Sequence, residues 1–374
     1  MLVIAVIILL LYLLLIGKFA FAIDKVPEFK LQDIPAKTKF SVVIPFRNEA
    51  ENLPTLFKSI SKLSYQTSLF EIILVNDDSE DLSEEIVTKF ISTSALDITL
   101  IENERQTNSP KKDAISSAIK ISKYDWIITT DADCVLPKYW LDNFDAFIQQ
   151  NEVKMVVGPV TYHQVNGFLK HFQLLDFLSL IGSSIAGFGI GKPFLCNGAN
   201  LGYKRSFFSD INGFEGNDII ASGDDIFLME KALKADKNSV KYLKSKHAIV
   251  QTIPQPNFKS LLSQRIRWAN KTSNYDNGFA KLVGLLVLLA NSVVVIGFVL
   301  VVLELFQLKT FTYLLVLKLL IDFLLIYKTS VFFNKENALK YYLPSSILYP
   351  FFSVYVAVIG SFSTYKWKNR RFKK

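Results

Sequence analysis

Apolar residues fill 2–16 without interruption, and three further apolar runs lie at 281–302, 311–327 and 343–362. Each comes near the length of about 20 apolar residues that a helix needs to cross a bilayer. Between them the pattern changes. Lys39-Phe40-Ser41-Val42-Val43-Ile44-Pro45 reads as a short buried strand ended by proline. Leu53, Leu56, Phe57, Ile60 and Leu63 then recur at helical spacing, which predicts an amphipathic helix. Strands follow at 70–75 and 98–101, and helices at 83–92 and 112–122. An apolar strand over Trp126-Ile127-Ile128-Thr129-Thr130 runs into Asp131-Ala132-Asp133, then a helix covers 137–150 and a strand 154–160. Strands alternating with helices predict a largely parallel α/β sheet covered on both faces. Asp77, Asp131 and Asp133 follow strands, which gathers them along one sheet edge, where open α/β sheets bind ligands.

The predicted division is an N-terminal membrane anchor at 1–23, a proline-bearing connector at 24–38, an α/β domain at 39–280 and a C-terminal membrane region at 281–374. No lysine or arginine precedes the first apolar run, while Lys18 and Lys25 come after or within its end. That favours an uncleaved anchor with the following domain in the cytoplasm over a signal peptide, although Ala20-Phe21-Ala22 resembles a cleavage site. The segment 168–190 is apolar and aromatic, with Lys170, His171 and Asp176 embedded. It reads equally as a buried helix or as an interfacial segment against lipid. Lys318 and Asp322, four residues apart in the 311–327 run, can neutralise each other inside a bundle. With one N-terminal and three C-terminal spans the basic tail 366–374 would lie outside, against the positive-inside rule. One C-terminal segment is therefore expected to be re-entrant or interfacial.

Of the 374 residues 50% are hydrophobic and 13% aromatic, and the net charge is +8. This suits an α/β domain carried by membrane segments, with lysines near anionic headgroups. Nucleic acid is not expected as a partner, because no compact basic helix or aromatic platform is present. Cys134 and Cys196 are far apart, and His163, His171 and His247 are scattered, so neither a disulfide framework nor a zinc site is indicated.

Asp131 and Asp133, two residues apart, would share one face of an extended segment. Such a pair can hold Mg²⁺ or Mn²⁺ alongside a phosphate, or can be a plain acidic turn. Cys196-Asn197-Gly198-Ala199-Asn200-Leu201 is a small-residue loop that lets backbone approach a ligand, or a simple turn. Asp224 and Asp225 open a helical pattern, where acids complement the helix dipole and where one can serve as a general base. Gln264, Arg267 and Trp268 share one helix face, as they would in any basic amphipathic helix at a membrane surface.

Taken together and in order, these segments resemble the membrane-bound inverting glycosyltransferases of family 2. The resemblance covers about 40–268 and rests on Val43-Ile44-Pro45 with Asn48-Glu49, Asn76-Asp77-Asp78-Ser79, Asp131-Ala132-Asp133, Gly198-Ala199-Asn200, Gly223-Asp224-Asp225 and Gln264-x-x-Arg267-Trp268. The family's usual Asp-Asp-Gly-Ser becomes Asn76-Asp77-Asp78-Ser79 here, and its usual Glu-Asp pair becomes Asp224-Asp225.

The resemblance implies a GT-A fold and an α/β nucleotide-sugar-binding domain between N-terminal and C-terminal transmembrane helices. It places Pro45, Glu49 and Asp77 in a uridine pocket, and Lys111 near the nucleotide. Asp131 would touch the nucleotide-sugar and, with Asp133, its Mg²⁺ or Mn²⁺. Asp225 would be the base, with Asp224 beside it. Gln264, Arg267, Trp268 and Asn200 would border the acceptor and the diphosphate. The partners expected are a nucleotide-sugar donor, a lipid or glycan acceptor and the membrane, with the catalytic domain cytoplasmic at a bacterial inner membrane. Transfer of one sugar to a lipid-linked or saccharide acceptor is the first function expected. A processive β-glycan synthase is the alternative, and an inactive scaffold is a third.

Overall fold

The computed structural model describes residues 2–217, 223–272, 276–362, 365–367 and 370–372. Ser222 and part of the basic tail lie outside these residues. The chain packs as two units. One comprises Met1–Val26, Gln164–Leu195 and Pro254–Lys374, and the other Pro27–His163 and Cys196–Ile253.

The second unit is built on a seven-stranded sheet of order β3-β2-β1-β4-β7-β5-β8. Its strands are β1 (Phe40–Phe46), β2 (Phe70–Asn76), β3 (Ile98–Glu102), β4 (Trp126–Thr129), β5 (Met155–Val157), β7 (Leu201–Lys204) and β8 (Val240–Tyr242). β1, β2, β3 and β4 run parallel, as the strand–helix alternation predicts. β7 is antiparallel to both β4 and β5. Crossover helices α2 (Leu53–Ile60), α3 (Ser83–Thr93) and α4 (Pro110–Ile121) join the parallel strands. α5 (Trp140–Gln150), α7 (Arg205–Asp210) and α8 (Asp224–Ala235) complete the unit. Val42, Val43, Ile44, Ile72, Ile73, Leu74, Ile127 and Ile128 are buried, as expected for strands covered on both faces.

The predicted strand at 154–160 is broken in two. β5 stops at Val157, and β6 (Val160–Tyr162) pairs instead with β9 (Val250–Thr252) in a separate two-stranded sheet. Pro159 between them has no N–H for the first sheet's ladder. A Cβ on Gly158 would lie 2.4 Å from the Asn200 amide, so the backbone turns there over that side chain. Asn200 is fully buried: its Nδ2 donates to the carbonyls of Pro159 and Ala248, both at 2.8 Å, and its Oδ1 accepts from Trp140 Nε1 at 2.9 Å. One amide thus ties the loop before β7 to the break between β5 and β6.

The first unit is helical. It contains α1 (Leu2–Ala22), α6 (Gly167–Gly189), α9 (Phe258–Thr272), α10 (Gly278–Val302), α11 (Leu308–Phe333) and α12 (Tyr342–Phe362), followed by a short hairpin of β10 (Tyr365–Trp367) and β11 (Arg370–Phe372). Among the described residues five segments, Leu2–Lys25, Gly167–Gly189, Gly278–Val302, Leu308–Phe332 and Glu336–Ser361, are long and apolar enough to cross a membrane. α11 outruns the predicted 311–327 at both ends, starting at Leu308 and continuing to Phe333 until Asn334 takes a left-handed conformation. The segment near 168–190, open to a buried or an interfacial reading, is the most enclosed of the five. Its most apolar window is 72% buried, against 22% for each of the others. α6 packs on both α1 and α11.

Polar side chains pin this bundle. Lys318 Nζ contacts Asp322 Oδ2 at 2.7 Å, and Tyr12 of α1 donates its hydroxyl to Asp322 Oδ1 at 2.6 Å. Lys318 also lies 5.2 Å from the centre of the Tyr12 ring. The predicted pair therefore forms, and it recruits a donor 310 residues away. Close helix approach supplies the rest: a Cβ on Gly189 would sit 2.1 Å from the Ala22 carbonyl oxygen.

Gly189→Ala is expected to force the backbones of α1 and α6 apart at a cost of about 1–3 kcal/mol. Denaturant titration of the reconstituted protein would show the loss. Asn200→Ala is expected to lower stability by about 2–4 kcal/mol, because it removes the amide's bonds to the Pro159 and Ala248 carbonyls and to the buried indole N–H of Trp140. A thermal melt of the full chain checks this; an unchanged melting temperature would show that the amide ties nothing together.

Candidate active site

β4 ends at Thr129, and the Thr130 N–H still donates to Val43 O at 3.2 Å, the last rung against β1. Beyond it the chain turns. The Cys134 N–H donates to Asp131 O at 3.2 Å, so Asp131 and Asp133 stand on a turn past the sheet edge and not on the extended segment that their spacing suggests. Both are partly open to solvent. Cys134 beneath them is buried, and burial, then the Asp133 and Asp131 charges, push its thiol pKa up.

Lys111, in the first turn of α4, reaches this turn. Its Nζ donates to Asp131 Oδ1 at 2.6 Å and lies 3.2 Å from Asp224 Oδ2. Burial opposes the ammonium charge, but Asp131 and Asp224 together outweigh it and hold its pKa above the usual lysine value. Lys111 therefore stays charged throughout the neutral range. Asp224 and Asp225 begin α8 immediately after Gly223, whose φ of 86° suits glycine. Asp225 Oδ2 accepts from the Gly198 N–H at 3.2 Å and its Oδ1 from the Ile226 N–H at 2.8 Å. Thr129 Oγ1 donates to Gly198 O at 2.8 Å, so the end of β4 holds the glycine loop in turn. A Cβ on Gly198 would lie 2.9 Å from Asp224 Oδ2 and 3.6 Å from Lys111 Nζ. The loop thus needs glycine at this position because backbone packs directly on the charged cluster.

Asn200, expected at the acceptor and diphosphate, instead has its buried amide engaged by Trp140, Pro159 and Ala248. It shapes the loop that presents Gly198.

Pro45, Glu49 and Asp77 lie at the C-terminal ends of the adjacent strands β1 and β2 or just past them. The Asp77 N–H donates to Phe46 O at 2.9 Å. Asp77 Oδ1 accepts from Arg105 Nε and Asn103 Nδ2, both at 2.7 Å. Arg47 Nη1 donates to Asp77 O at 2.7 Å and also to the Asp78 main-chain oxygen. Glu49 accepts from Asn52 Nδ2 at 2.6 Å, while its N–H donates to Ser83 Oγ at 2.8 Å. Asp78 occupies the position where the resembling family usually has glycine, and its φ is 59°. The Arg47 and Arg105 guanidiniums bind its carboxylate at 3.1 and 3.2 Å and hold its pKa below the usual carboxylate range. These contacts stabilise a left-handed turn that an aspartate adopts at some cost.

Arg47, Asn103, Arg105 and Tyr203 were not singled out from the sequence. Tyr203 is buried on β7, and burial, followed by the Asp224 charge, raises its pKa. Arg105 and Asn103 follow β3 in a loop with no periodic signal, and only its position after a strand end could have flagged it.

Gln264, Arg267 and Trp268 belong to the helical unit, on α9. There Arg265 Nε donates to Asp176 Oδ2 at 2.6 Å, and both side chains are at least 94% buried. The guanidinium carbon lies 4.2 Å from the centre of the Trp268 ring.

Among the described residues no three His, Cys, Asp or Glu side chains form a metal-holding group. Asp131 and Asp133 nevertheless fit a hard divalent cation shared with a ligand. They are two carboxylates on one turn, partly open to solvent, and Mg²⁺-type sites commonly take one or two carboxylates and fill the remaining positions with phosphate oxygens and water.

Known proteins resemble the chain over the stretch that holds these residues. Residues 41–211 match the family described as Glycosyl transferase family 2. The chain is 26% identical over 229 residues to Glycosyltransferase AglE of Haloferax volcanii, covering 61% of this chain and 70% of that protein. It is 24% identical over 254 residues to Poly-beta-1,6-N-acetyl-D-glucosamine synthase of Staphylococcus aureus, covering 67% of this chain and 57% of that longer enzyme. The solved mannosyltransferase PcManGT of Pyrobaculum calidifontis, in complex with GDP-Man and Mn²⁺, superposes with a TM-score of 0.60 at 16% identity and covers 96% of both chains. At that identity the likeness speaks for the fold. The match over residues 41–211, the glycosyltransferases among the chain's relatives and the mixed α/β sheet mark a glycosyltransferase that carries a Glycosyl transferase family 2 domain with a GT-A-like fold.

Proposed function

We propose that the protein transfers one sugar from a nucleoside-diphosphate sugar, UDP-linked in the first instance, to a hydroxyl of a lipid-linked or saccharide acceptor at a membrane. The observation that carries this reading is the cluster in which Lys111 joins Asp131 to Asp224, with Asp225 pinned beside them by two backbone N–H groups. Asp225 is the general base: it takes the proton of the acceptor hydroxyl as that oxygen bonds to the anomeric carbon. The bond from that carbon to the diphosphate breaks, and the nucleoside diphosphate leaves. A single displacement of this kind inverts the anomeric centre. No second carboxyl is needed as an acid, because the diphosphate is already a good leaving group, unlike the alkoxide of a glycosidase reaction.

Asp131 and Asp133 would hold Mg²⁺ or Mn²⁺, which supplies positive charge for the leaving diphosphate. Lys111 offers a further fixed positive charge to the same end of the donor. Asp224 keeps that ammonium in place. Pro45, Glu49 and Asp77 are assigned to the uridine, with Asp77 reading the base while Arg105 and Asn103 hold its other face. Gln264, Arg267 and Trp268 are assigned to the acceptor and diphosphate on the strength of their motif. The long apolar helices support an integral membrane protein, with the α/β unit on the cytoplasmic side of a bacterial inner membrane.

A processive β-glycan synthase is the second reading, favoured by the likeness to the staphylococcal polysaccharide synthase. The test uses the full chain in nanodiscs, a panel of UDP-sugars with GDP-mannose added, Mn²⁺ or Mg²⁺, and lipid extract. One donor should support nucleoside-diphosphate release, and Asp225→Asn should lower that rate by about 10²–10⁴-fold. Chelation of the divalent cation should stop release, and Mn²⁺ or Mg²⁺ should restore it. Product length separates single transfer from polymer synthesis. No metal-dependent nucleotide binding in the wild type would sink both readings and leave a scaffold.

A further inference from the structure

Asp176 is an unusual residue for its helix. It sits in the middle of α6, the most enclosed apolar helix of the chain. A lone carboxylate there is expensive, and it persists only with good partners. It has one in Arg265 of α9, whose Nε donates to Asp176 Oδ2 at 2.6 Å. Two helices therefore meet on one buried ion pair.

The consequences run along α9. Arg265 Nη1 donates to Gln264 Oε1, and the guanidinium plane lies 4.2 Å from the centre of the Trp268 ring. Phe177, next to Asp176, places its ring centre 6.3 Å from that of Trp268. A guanidinium only donates, so the atom of Gln264 facing Arg265 must be its oxygen. Its NH₂ group is then what Gln264 has left to offer a sugar oxygen. Trp268 touches both a guanidinium and a phenyl ring, and both of those contacts are fixed from α6.

We propose that Asp176 is a positioning residue for acceptor recognition: through Arg265 it fixes the indole of Trp268 and the amide orientation of Gln264. This rests on the assignment of Gln264 and Trp268 to the acceptor made above. The pair is separated by 89 residues in sequence and by nothing in space. Its removal frees Arg265 to rotate, and with it the amide and the ring that a sugar must meet.

The test uses the full chain in nanodiscs, labelled with 5-fluorotryptophan, the Trp268 resonance being assigned by its loss in Trp268→Phe. Asp176→Asn should shift and broaden the Trp268 resonance while leaving those of Trp126 and Trp140 in place. It should also raise the amount of lipid extract needed for half-maximal nucleotide release by about tenfold, as expected for a misplaced binding group. Affinity for UDP in Mn²⁺ should not change. Should Asp176→Asn fail to fold, Asp176→Glu, which keeps the charge and moves it by one methylene, carries the same comparison. An unmoved Trp268 resonance overturns the positioning role. If the resonance moves but neither Asp176→Asn nor Trp268→Ala alters the dependence on extract, the acceptor assignment itself is what fails, and the proposal falls with it.

Discussion

The ammonium of Lys111 is the point on which the α/β unit's chemistry depends. It arrives on the first turn of a crossover helix and binds one carboxylate past the end of β4 and another at the start of α8. These come from parts of the chain about a hundred residues apart, and without a cation between them Asp131 and Asp224 would repel. Gly198 completes the arrangement by bringing backbone against the cluster, where an added Cβ would lie 2.9 Å from Asp224 Oδ2. The same N–H that this close approach exposes then orients Asp225. Charge balance and close packing are thus one design: the lysine permits the acids to gather, and the glycine permits the backbone to reach them.

A comparable logic governs the turn after β2. Where glycine would supply a left-handed residue at little cost, Asp78 takes that conformation, and two arginines hold its carboxylate. Arg47 and Arg105 also bind the main-chain oxygen of Asp77. The turn after β2 is therefore stiffened from two loops at once. Both arginines project from segments that follow strands, which is where a parallel sheet gathers its loops.

Much of this architecture was legible in the chain. The alternation of apolar runs and helical patterns gave β1 to β4 and their crossover helices, since buried parallel strands leave an unbroken apolar signature. The order of the acidic motifs gave the resemblance to family 2 glycosyltransferases, and residues 41–211 match that family. What the chain did not reveal were features decided by distant partners. β7 is a four-residue strand containing Gly202, too short and too mild to announce itself beside the glycine loop. The split of 154–160 depends on Asn200, forty residues on. The Asp131–Cys134 turn depends on where the ladder with β1 runs out, which no local pattern records. Asp176 stood out as a charge in an apolar run, but its meaning lay in Arg265, and sequence alone could not pair them.

The Tyr12 hydroxyl gives the first helix a role beyond tethering. It supplies one of two bonds to Asp322, in the middle of α11, and its ring faces Lys318. In apolar surroundings that carboxylate has few substitutes for a lost donor. Trimming the N-terminal helix to obtain a simpler protein would therefore open a seam through the bundle, exposing a half-satisfied charge pair to whatever lipid or detergent replaced it. The first helix is a structural member of the bundle, and a shortened chain would be a different molecule.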